Sequence, residues 1–531
     1  YASSTTYISG GAVVEAARKV AEQIKAVAGR MLGISPDEIE LAETQAWAPD
    51  GRSVSLAAVA LESLHQAAGG CGLPALVISG CPPPVDAAVE LTTLTPDPAV
   101  IEINTAPSVD AEDFLRRSRA VYAAAADEGL SPYRLYFNGA VADSGGGGQI
   151  TLGGPAPETS PFLLHPLLLP RLVGFFNRHP SLSYFFSHDH VGSGGQSARA
   201  DERGSDAFDE LQLALSLLGR EPELSPRLLW QSLAPFLCDA SGNSHRAEIN
   251  IEKLWNPFLP GRGQLGLVEF RALRMQHTPQ RATALACLLR ALTAMLAGAQ
   301  AEPALVDWGR ELHDRFALPF YLEQDLDAVL QALDAAGQGL GAPLRDTLLR
   351  DEFRLLGTVP LPGCTLELWR ALEFWPLLGD VASPEQVGTS RLVDASTARV
   401  ELRLRPAPLP GDDGRDWQVF TRGVELPLRR ERDARGELAV FGLRYRSFVP
   451  MRGLHPMLGA QAPVQLLLRH PASATDHCVS LHEWQPAGEA YAGLPQDLAE
   501  ASRRRAERLT VACVPRASRR STSPRPSQGL S

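Results

Sequence analysis

Three short segments of this 531-residue chain alternate apolar side chains with charged or amide side chains. They lie at residues 101–104, 246–252 and 268–271. Successive side chains of a β-strand point to opposite faces of a sheet. Each segment is therefore predicted to be a strand with one apolar face and one polar face.

The predicted polar faces carry mostly carboxylates and their hydrogen-bonding neighbours. Their members are Glu102, Glu248, Glu252, Glu269, Asn104, Asn250, Arg246 and Arg271. Carboxylates crowded on one sheet repel one another unless cations lie between them, and hard divalent ions prefer oxygen ligands. We therefore predict a face that binds a metal ion and a nucleotide, with Glu102, Glu248 and Glu269 as metal ligands.

The numbers of acidic and basic residues exclude some functional classes. The formal net charge of −11 argues against a general nucleic-acid binder, although local arginine clusters can still bind phosphate. Lysine occurs only at Lys19, Lys25 and Lys253, so a Walker A loop, which needs Gly-Lys-Ser/Thr, is excluded. Lys253 is the only Schiff-base candidate outside the N-terminal helix.

The cysteines and the apolar runs of the sequence indicate in which cellular compartment the chain is expected. The seven cysteines are scattered without a Cys-x-x-Cys pair, which favours a reducing cytoplasm over a disulfide framework or a zinc ribbon. The longest apolar run, 282–299, is interrupted by Arg290 and is short for a membrane span, so it is predicted to be a core helix. The chain starts at Tyr1 with no recognisable signal peptide and is interpreted as a fragment.

Periodicity predicts a mixed α+β chain with a β-rich C-terminal part. Helices are predicted at 12–32, 110–129, 206–218, 279–298 and 322–336, and the additional strands at 75–79, 133–137, 399–404, 417–420, 438–449 and 464–468. The apolar stripe of the first helix includes Val20, Val27 and Met31. The predicted domains are 1–60, a core at 61–385, a β-rich region at 386–509 and a disordered tail at 510–531.

Three constellations suggest chemistry, and each has a simpler structural interpretation. Glu269 and Arg271 lie on one strand face, which suits a phosphoryl-transfer site and equally suits an interstrand ion pair. The polar turn with His245 and Arg246 leads into a predicted strand, and its alternative is a solvent-facing edge. The glycine run with Gly146 and Gly147 is followed by Gln149, and such backbone can approach phosphate closely or form a surface loop.

From about residue 62 to residue 509 the chain resembles the amidoligase family, whose members commonly carry a transglutaminase-like domain in front. The resemblance rests on collinear strings such as PDPAVIEINTAPS, GGGGQITLGG, HPSLSYFFS, SGNSHRAEINIEKLW, GLVEFRAL and WGRELHDRFALP. Their shared order over this length is more specific than any single motif.

The resemblance implies a glutamine-synthetase-like carboxylate–amine ligase, built on an antiparallel sheet that carries acidic Mg²⁺ ligands and binds ATP. The implied reaction phosphorylates a small-molecule or peptide carboxylate, and an amine then attacks the acyl phosphate to form an amide. Nucleic acid and membrane are not expected partners, and the oligomeric state is open. Glu269 and Arg271 match the family's Glu-x-Arg pair, and the other matched positions are Glu102, Asn104, Arg199, Asp201, Arg246 and Glu248. The predicted catalytic residues are Arg271, Arg246 and Arg199, and the predicted cofactor contacts are Gly146, Gly147, Gln149, Asn104 and His245.

The chain departs from the family pattern in two places. Gly148-Gln149 stands where the family has Asn-His, which removes an imidazole contact to metal or phosphate. The first half of the family's domain is absent, so a truncated ligase is expected.

Residues 1–58 resemble a different family, the molybdopterin-binding large subunit of xanthine and CO dehydrogenase-type enzymes. The join near Leu61 is interpreted as chimeric. Two alternative functions are therefore a fragment of a molybdopterin-dependent hydroxylase subunit, and a non-catalytic binding module with a vestigial site.

Overall fold

The computed structural model describes most of the chain between residues 2 and 516. The residues not described within these limits are 71–75, 79–91, 98–99, 106, 144–146, 196, 203–204, 240–241, 258–262, 300–303, 352, 376, 382–389, 412–415 and 450–458. The chain divides into two compact units, Tyr1–Ser131 and Pro132–Ser531. The predicted domain limits at residues 60 and 385 remain predictions.

The first unit combines helices with two small sheets. Its described elements are α1 (Ala2–Leu32), β1 (Glu40–Ala42), β2 (Gln45–Trp47), β3 (Ser53–Ser55), α2 (Leu56–Gly70), β4 (Leu76–Ile78), β5 (Thr92–Asp97), β6 (Val100–Asn104) and α3 (Ala111–Asp127). Strand β5 pairs antiparallel with β6 and parallel with β4. Helix α3 starts as predicted, because the side chain of Asp110 accepts a hydrogen bond from the backbone N–H of Asp113.

Helix α1 confirms the predicted N-terminal helix, but its predicted apolar stripe is only partly buried. Val27 lies in a small core with Ile39 and Val59. Val20 and Met31 are 52% and 38% exposed. The small core formed with β1 to β3 and the start of α2 buries Val27 and leaves Val20 and Met31 exposed.

The first part of the second unit is mainly helical. Its described elements are β7 (Tyr133–Leu135), β8 (Val141–Asp143), β9 (Ile150–Leu152), α4 (Pro161–Leu164), α5 (Leu168–Arg178), α6 (Ser181–Tyr184), α7 (Ser205–Leu218), α8 (Pro226–Leu233), β10 (Ile249–Asn250), β11 (Val268–Phe270), α9 (Pro279–Ala297), α10 (Glu311–Asp314), α11 (Pro319–Ala335) and α12 (Ala342–Leu349). One large apolar core joins these helices, and α9 confirms the core helix predicted from the longest apolar run.

The last part of the second unit is β-rich and antiparallel. Its described elements are β12 (Leu355–Leu361), β13 (Cys364–Arg370), β14 (Leu377–Val381), β15 (Ser390–Val393), β16 (Thr397–Pro406), β17 (Gln418–Thr421), β18 (Val424–Glu425), β19 (Arg429–Asp433), β20 (Gly436–Arg446), β21 (Val464–Arg469), β22 (Thr475–Leu481), α13 (Leu498–Glu507) and β23 (Leu509–Pro515). Two five-stranded sheets, in the orders β12-β13-β16-β20-β19 and β18-β17-β21-β22-β23, contribute to one core. The predicted α+β class with antiparallel sheets is confirmed.

The two faces of the first of these sheets pack against different layers, as strand β16 shows. Leu402 and Leu404 belong to the core between the sheets. Glu401 and Arg403 alternate with them, and the Glu401 carboxylate accepts a hydrogen bond from the backbone N–H of Phe320 at the start of α11 (2.8 Å). The period-2 alternation thus places the helical layer against one face and the second sheet against the other.

Two sequence predictions differ from the structure. The predicted strand 246–252 is a strand only at β10, because the Ser244–Arg246 segment forms a 3₁₀ turn before it. The predicted tail does not begin at residue 510, because β23 pairs with β22 along its whole length; the tail residues 517–531 lie outside the described part. In the part of the chain that is described, no helix is long and apolar enough to cross a membrane.

Candidate active site

The short sheet β10-β11-β9 has a polar row of side chains on one face and an apolar row on the other. Asn250 pairs with Glu269, and Glu269 pairs in turn with Thr151. The adjacent row contains Phe270, which is 1% exposed and stacks on Phe176 of α5 with ring centroids 5.7 Å apart. The alternation predicted for residues 268–271 is therefore confirmed at Glu269 and Phe270.

Glu269 lies between two cations. Its Oε2 is 2.9 Å from Lys253 Nζ, and its Oε1 is 2.6 Å from Arg271 Nη1. Burial alone would raise the pKa of Glu269, but attraction to Lys253 and Arg271 outweighs it and leaves the pKa below its ordinary value. Glu269 is thus an anion that fixes two cations in place.

The two cations of this cluster remain within reach of a ligand. The Lys253 side chain is 31% exposed and the Arg271 side chain is 17% exposed, whereas Glu269 is 8% exposed. Arg271 is anchored a second time, because its Nε donates to the backbone carbonyl of His245 (3.0 Å). Ammonium and guanidinium groups held in this way can bind phosphate oxygens without rearrangement.

A histidine–carboxylate pair borders the cluster. His245 Nε2 is 3.2 Å from Glu252 Oε2, and Ser244 Oγ donates to the other oxygen of Glu252. Asn250 braces the turn, because its Nδ2 donates to the Ser244 carbonyl (3.1 Å) and its Oδ1 accepts from the Glu252 N–H (2.9 Å). The hydrogen bond to Glu252 raises the pKa of His245, and the same bond lowers the pKa of Glu252 to about 2.

Arg199, predicted as a catalytic residue, is instead built into the protein interior. Its Nε and Nη2 form a two-pronged pair with Asp201 (2.9 and 2.8 Å). Its remaining N–H groups donate to the carbonyls of Phe176 and Asn177 and to Ser183 Oγ, each at 3.0 Å. All five guanidinium N–H groups are therefore used, and none is left for a substrate.

Glu248 lies beside Arg199 rather than beside Glu269. Its carboxylate accepts hydrogen bonds from Ser183 Oγ (2.5 Å) and from the Ala200 N–H (3.2 Å), and the residue is 2% exposed. Burial raises the pKa of Glu248 to about 7, against the opposing attraction of Arg199. The structure therefore places Glu248 and Glu269, two predicted metal ligands, in separate charge clusters.

Arg246, another predicted catalytic residue, does not lie on the strand face. It ends the 3₁₀ turn before β10, and its Nη1 is 3.7 Å from Asp239 Oδ2. The prediction assumed a strand from residue 246, and the turn directs this side chain elsewhere.

The glycine run has a packing role in the described structure. Gly147 forms a bridge with Arg274, and a side chain at Gly148 would meet the Arg274 carbonyl oxygen at 1.9 Å. The close approach of two backbones therefore requires glycine at this point. Gly146 lies outside the described residues, and the half-buried Gln149 leads directly into β9.

Glu102 and Asn104 belong to the first unit. Both lie in β6, which confirms the predicted strand, but their side chains lie outside what the structure describes. Their assignment as metal and cofactor contacts stays a prediction.

The described residues do not form a magnesium site by themselves. Both oxygens of Glu269 already contact Lys253 and Arg271, and those of Glu248 accept hydrogen bonds within the interior. No group of three or more potential metal ligands occurs among the described side chains. The donor set present here suits an anion better than a divalent cation.

The sequence predicts Glu252 on the polar face without giving it a role, and it does not assign Lys253 to the site. One feature of the sequence could have pointed to Lys253: it is the only lysine after residue 25. Its place beside Glu269 depends on the return of the chain between β10 and β11, which local periodicity does not specify.

Comparison with protein families agrees with both resemblances seen in the sequence. The family model described as "Putative amidoligase enzyme (DUF2126)" matches residues 58–527, and a model of a molybdopterin cofactor-binding domain matches residues 1–76. No curated protein and no solved structure matches the chain.

Proposed function

The chain belongs to the amidoligase family, whose model spans residues 58–527, and from this premise we propose that it is an ATP-dependent ligase that forms amide bonds. The family description supports amide-bond ligation at the level of the family. The ATP dependence, the acyl phosphate intermediate and the site residues are our proposal. The observation that carries the proposed site is the partly exposed pair of cations, Lys253 and Arg271, held by Glu269.

In the proposed first step, an oxygen of the substrate carboxylate attacks the γ-phosphorus of ATP. The bond from this phosphorus to the bridging oxygen breaks, and ADP leaves with the electron pair. Lys253 and Arg271 offset the charge on the transferring phosphoryl oxygens, and Glu269 holds both cations in position. Such preorganised charge costs little rearrangement during the reaction.

In the proposed second step, an amine attacks the carbonyl carbon of the acyl phosphate. The carbon–oxygen bond to phosphate breaks, inorganic phosphate leaves, and the amine loses a proton. We assign this proton to Nδ1 of His245. Because Nε2 faces the Glu252 carboxylate at 3.2 Å, the neutral ring has its acceptor nitrogen at Nδ1.

Magnesium enters the proposal only as the ion that accompanies ATP in solution. The described carboxylates do not fit a preformed site for it. Arg199 is likewise left out of the proposed machinery, because its five donors are occupied.

The test is a search for condensation products. The chain is incubated with ATP, magnesium and a mixed pool of carboxylates, amines and short peptides, and the products are followed by mass spectrometry. We expect masses that correspond to loss of water between a carboxylate and an amine, with ADP formed in equal amount. Arg430→Ala, on the surface of β19, should leave product formation unchanged, whereas Arg271→Ala should abolish most of it. Products that form without ATP would contradict the proposal.

A molybdopterin-dependent activity is the second candidate, favoured only by the match over residues 1–76. The described part of this segment packs around a small apolar core that includes Val27, Ile39 and Val59, and we derive no chemical step from it. Elemental analysis of the purified chain separates the candidates, since molybdenum in stoichiometric amount would favour this alternative. A binding module with a vestigial site would bind ATP without turnover or show no heat on calorimetric titration.

A further inference from the structure

Three arginines lie close enough for their charges to interact near the end of the second unit, where few carboxylates balance them. They are Arg370 at the end of β13, Arg505 in the last turn of α13 and Arg508 just after that helix. Arg505 and Arg508 are 6% and 5% exposed. These three residues are called the arginine triad below.

Backbone contacts hold the arginine triad in place. Arg505 Nη1 donates to the Gly139 carbonyl and Arg370 Nη1 donates to the Val141 carbonyl, both at 2.7 Å. These two carbonyls are two residues apart in the connection from β7 into β8, so the two guanidinium groups lie side by side. Arg508 Nε donates to the His482 carbonyl at 2.7 Å.

Arg505 has no carboxylate partner in the part of the chain that the structure describes, and its buried Nε has no hydrogen-bond partner there. The charged neighbours that act on it are the other two members of the triad. Burial and repulsion by Arg370 and Arg508 lower the pKa of Arg505 to about 10.

The carboxylates nearest to Arg370 and Arg508 each interact with a second side chain as well. Asp189 is 2.9 Å from Arg370 and 3.4 Å from Arg354. Glu483 is 3.7 Å from Arg508 and accepts a hydrogen bond from Tyr445 Oη at 2.8 Å. Positive charge therefore exceeds negative charge at the triad.

We propose that Arg370, Arg505 and Arg508 form a binding site for one tetrahedral oxyanion, namely a phosphate group, either free or as the ester of a small molecule. Buried cations without counter-charge are costly, and an anion removes that cost. Guanidinium forks match phosphate oxygens, and three donors suit a tetrahedral anion better than a planar carboxylate. The Arg370 side chain, 23% exposed, gives the anion a route to the site.

The test is calorimetric titration of the whole chain with inorganic phosphate at constant ionic strength, with chloride as the blank. We expect phosphate binding that is weaker by about tenfold or more in Arg505→Met. Arg430→Met, a surface arginine paired with Asp416, is the matched control and should bind as the parent chain does. Arg271→Met should also retain this binding, which separates the triad from the proposed active site.

A second titration with adenosine monophosphate distinguishes the two forms of the ligand. If Arg505→Met weakens the binding of both compounds, the site takes phosphate esters. If Arg505→Met weakens the binding of inorganic phosphate alone, the site takes the free anion; either result supports the site. Circular dichroism checks that Arg505→Met folds, and Arg508→Gln serves the same comparison if it does not. The proposal is overturned if the parent chain binds no phosphate, if neither triad variant weakens binding, or if Arg271→Met abolishes it.

Discussion

The contact between His245 and Glu252 predicts how the rate of the proposed reaction depends on pH. The hydrogen bond to Glu252 raises the pKa of His245 above its ordinary value of 6.5. The charged groups that act on this ring are Glu252 and Glu269, which raise the pKa, and Arg271, which lowers it. A base must be neutral to accept a proton, so the proposed rate falls as the pH drops through this pKa.

We predict that Glu252→Gln shifts the acid limb of the pH–rate profile to lower pH. The substitution removes the carboxylate that raises the pKa of His245, so the ring stays neutral in more acidic solution. The measurement is kcat for ATP-dependent product formation between pH 5 and 9. His245→Gln should flatten the limb, and an unmoved limb in Glu252→Gln would show that another group titrates.

The raised pKa of Glu248 predicts that the free energy of unfolding depends on pH. Its pKa is raised in the folded chain to about 7 from an ordinary value of 4.5. A carboxyl group with a raised folded-state pKa gives full stability below the unfolded pKa and loses it as the pH rises. The contribution of Glu248 to the free energy of unfolding should therefore fall between about pH 4.5 and pH 7, by an amount on the order of 3 kcal/mol, and level off above that range.

Urea denaturation with a chelator present, at intervals from pH 4.5 to pH 8, measures this change. Glu248→Gln keeps the shape of the side chain and removes its titration, so the slope should decrease. Burial also raises the pKa of Glu323 to about 7, so Glu323 contributes to the slope that remains. A slope of equal size in the variant would place the titrating group elsewhere.

At the scale of elements, the glycine run illustrates a motif that suggested phosphate binding and that has a packing role in the structure. Gly148 permits the backbone after Gly147 to lie against Arg274, and a methyl group there would meet a carbonyl oxygen at 1.9 Å. We predict that Gly148→Ala lowers the free energy of unfolding by about 1–3 kcal/mol. Gly493→Ala is the control, because nothing lies within 4 Å of its added methyl group. Equal stability of the two variants in urea would contradict this packing role.

Local patterns predicted most of the long elements. The helix predicted at 206–218 is found as α7, and Leu211, Leu215 and Leu218 on one of its faces are buried. The helix predicted from residue 110 is found as α3 with Asp110 as its cap, and the strand predicted at 399–404 is found within β16. These features depend on residues close in sequence, whose spacing fixes which face is apolar.

The errors in the predicted site have a different origin. Glu248 turns into the interior because Ser183 and Ala200 offer hydrogen bonds there, and Arg199 is saturated by carbonyls from α5 and by Asp201. Lys253 reaches Glu269 from another part of the chain. Apart from the Arg199–Asp201 pair, these contacts join residues that are not neighbours in the sequence, and periodicity within a single strand carries no information about them.

At the scale of the whole molecule, two family resemblances meet in one chain. The matches at 1–76 and 58–527 overlap at α2, which continues without a break through the join predicted near residue 61. Arg30 Nη2 in α1 also donates to Gln66 Oε1 in α2 at 2.9 Å. The first unit is therefore continuous across this point, and the ligase assignment rests on the larger match.

Transfer of oxygen from substrate to phosphate tests the ligase assignment most directly. Carboxylates labelled with ¹⁸O are incubated with the chain, ATP and hydroxylamine, which traps an acyl phosphate as a hydroxamate. We expect hydroxamate and inorganic phosphate in equal amounts, with one ¹⁸O atom transferred to each phosphate. Arg271→Ala should lower kcat by roughly 10²–10³-fold, the usual effect of removing one preorganised charge from a transition state. Phosphate that is released without the label, or a rate that Arg271→Ala leaves unchanged, would contradict the account.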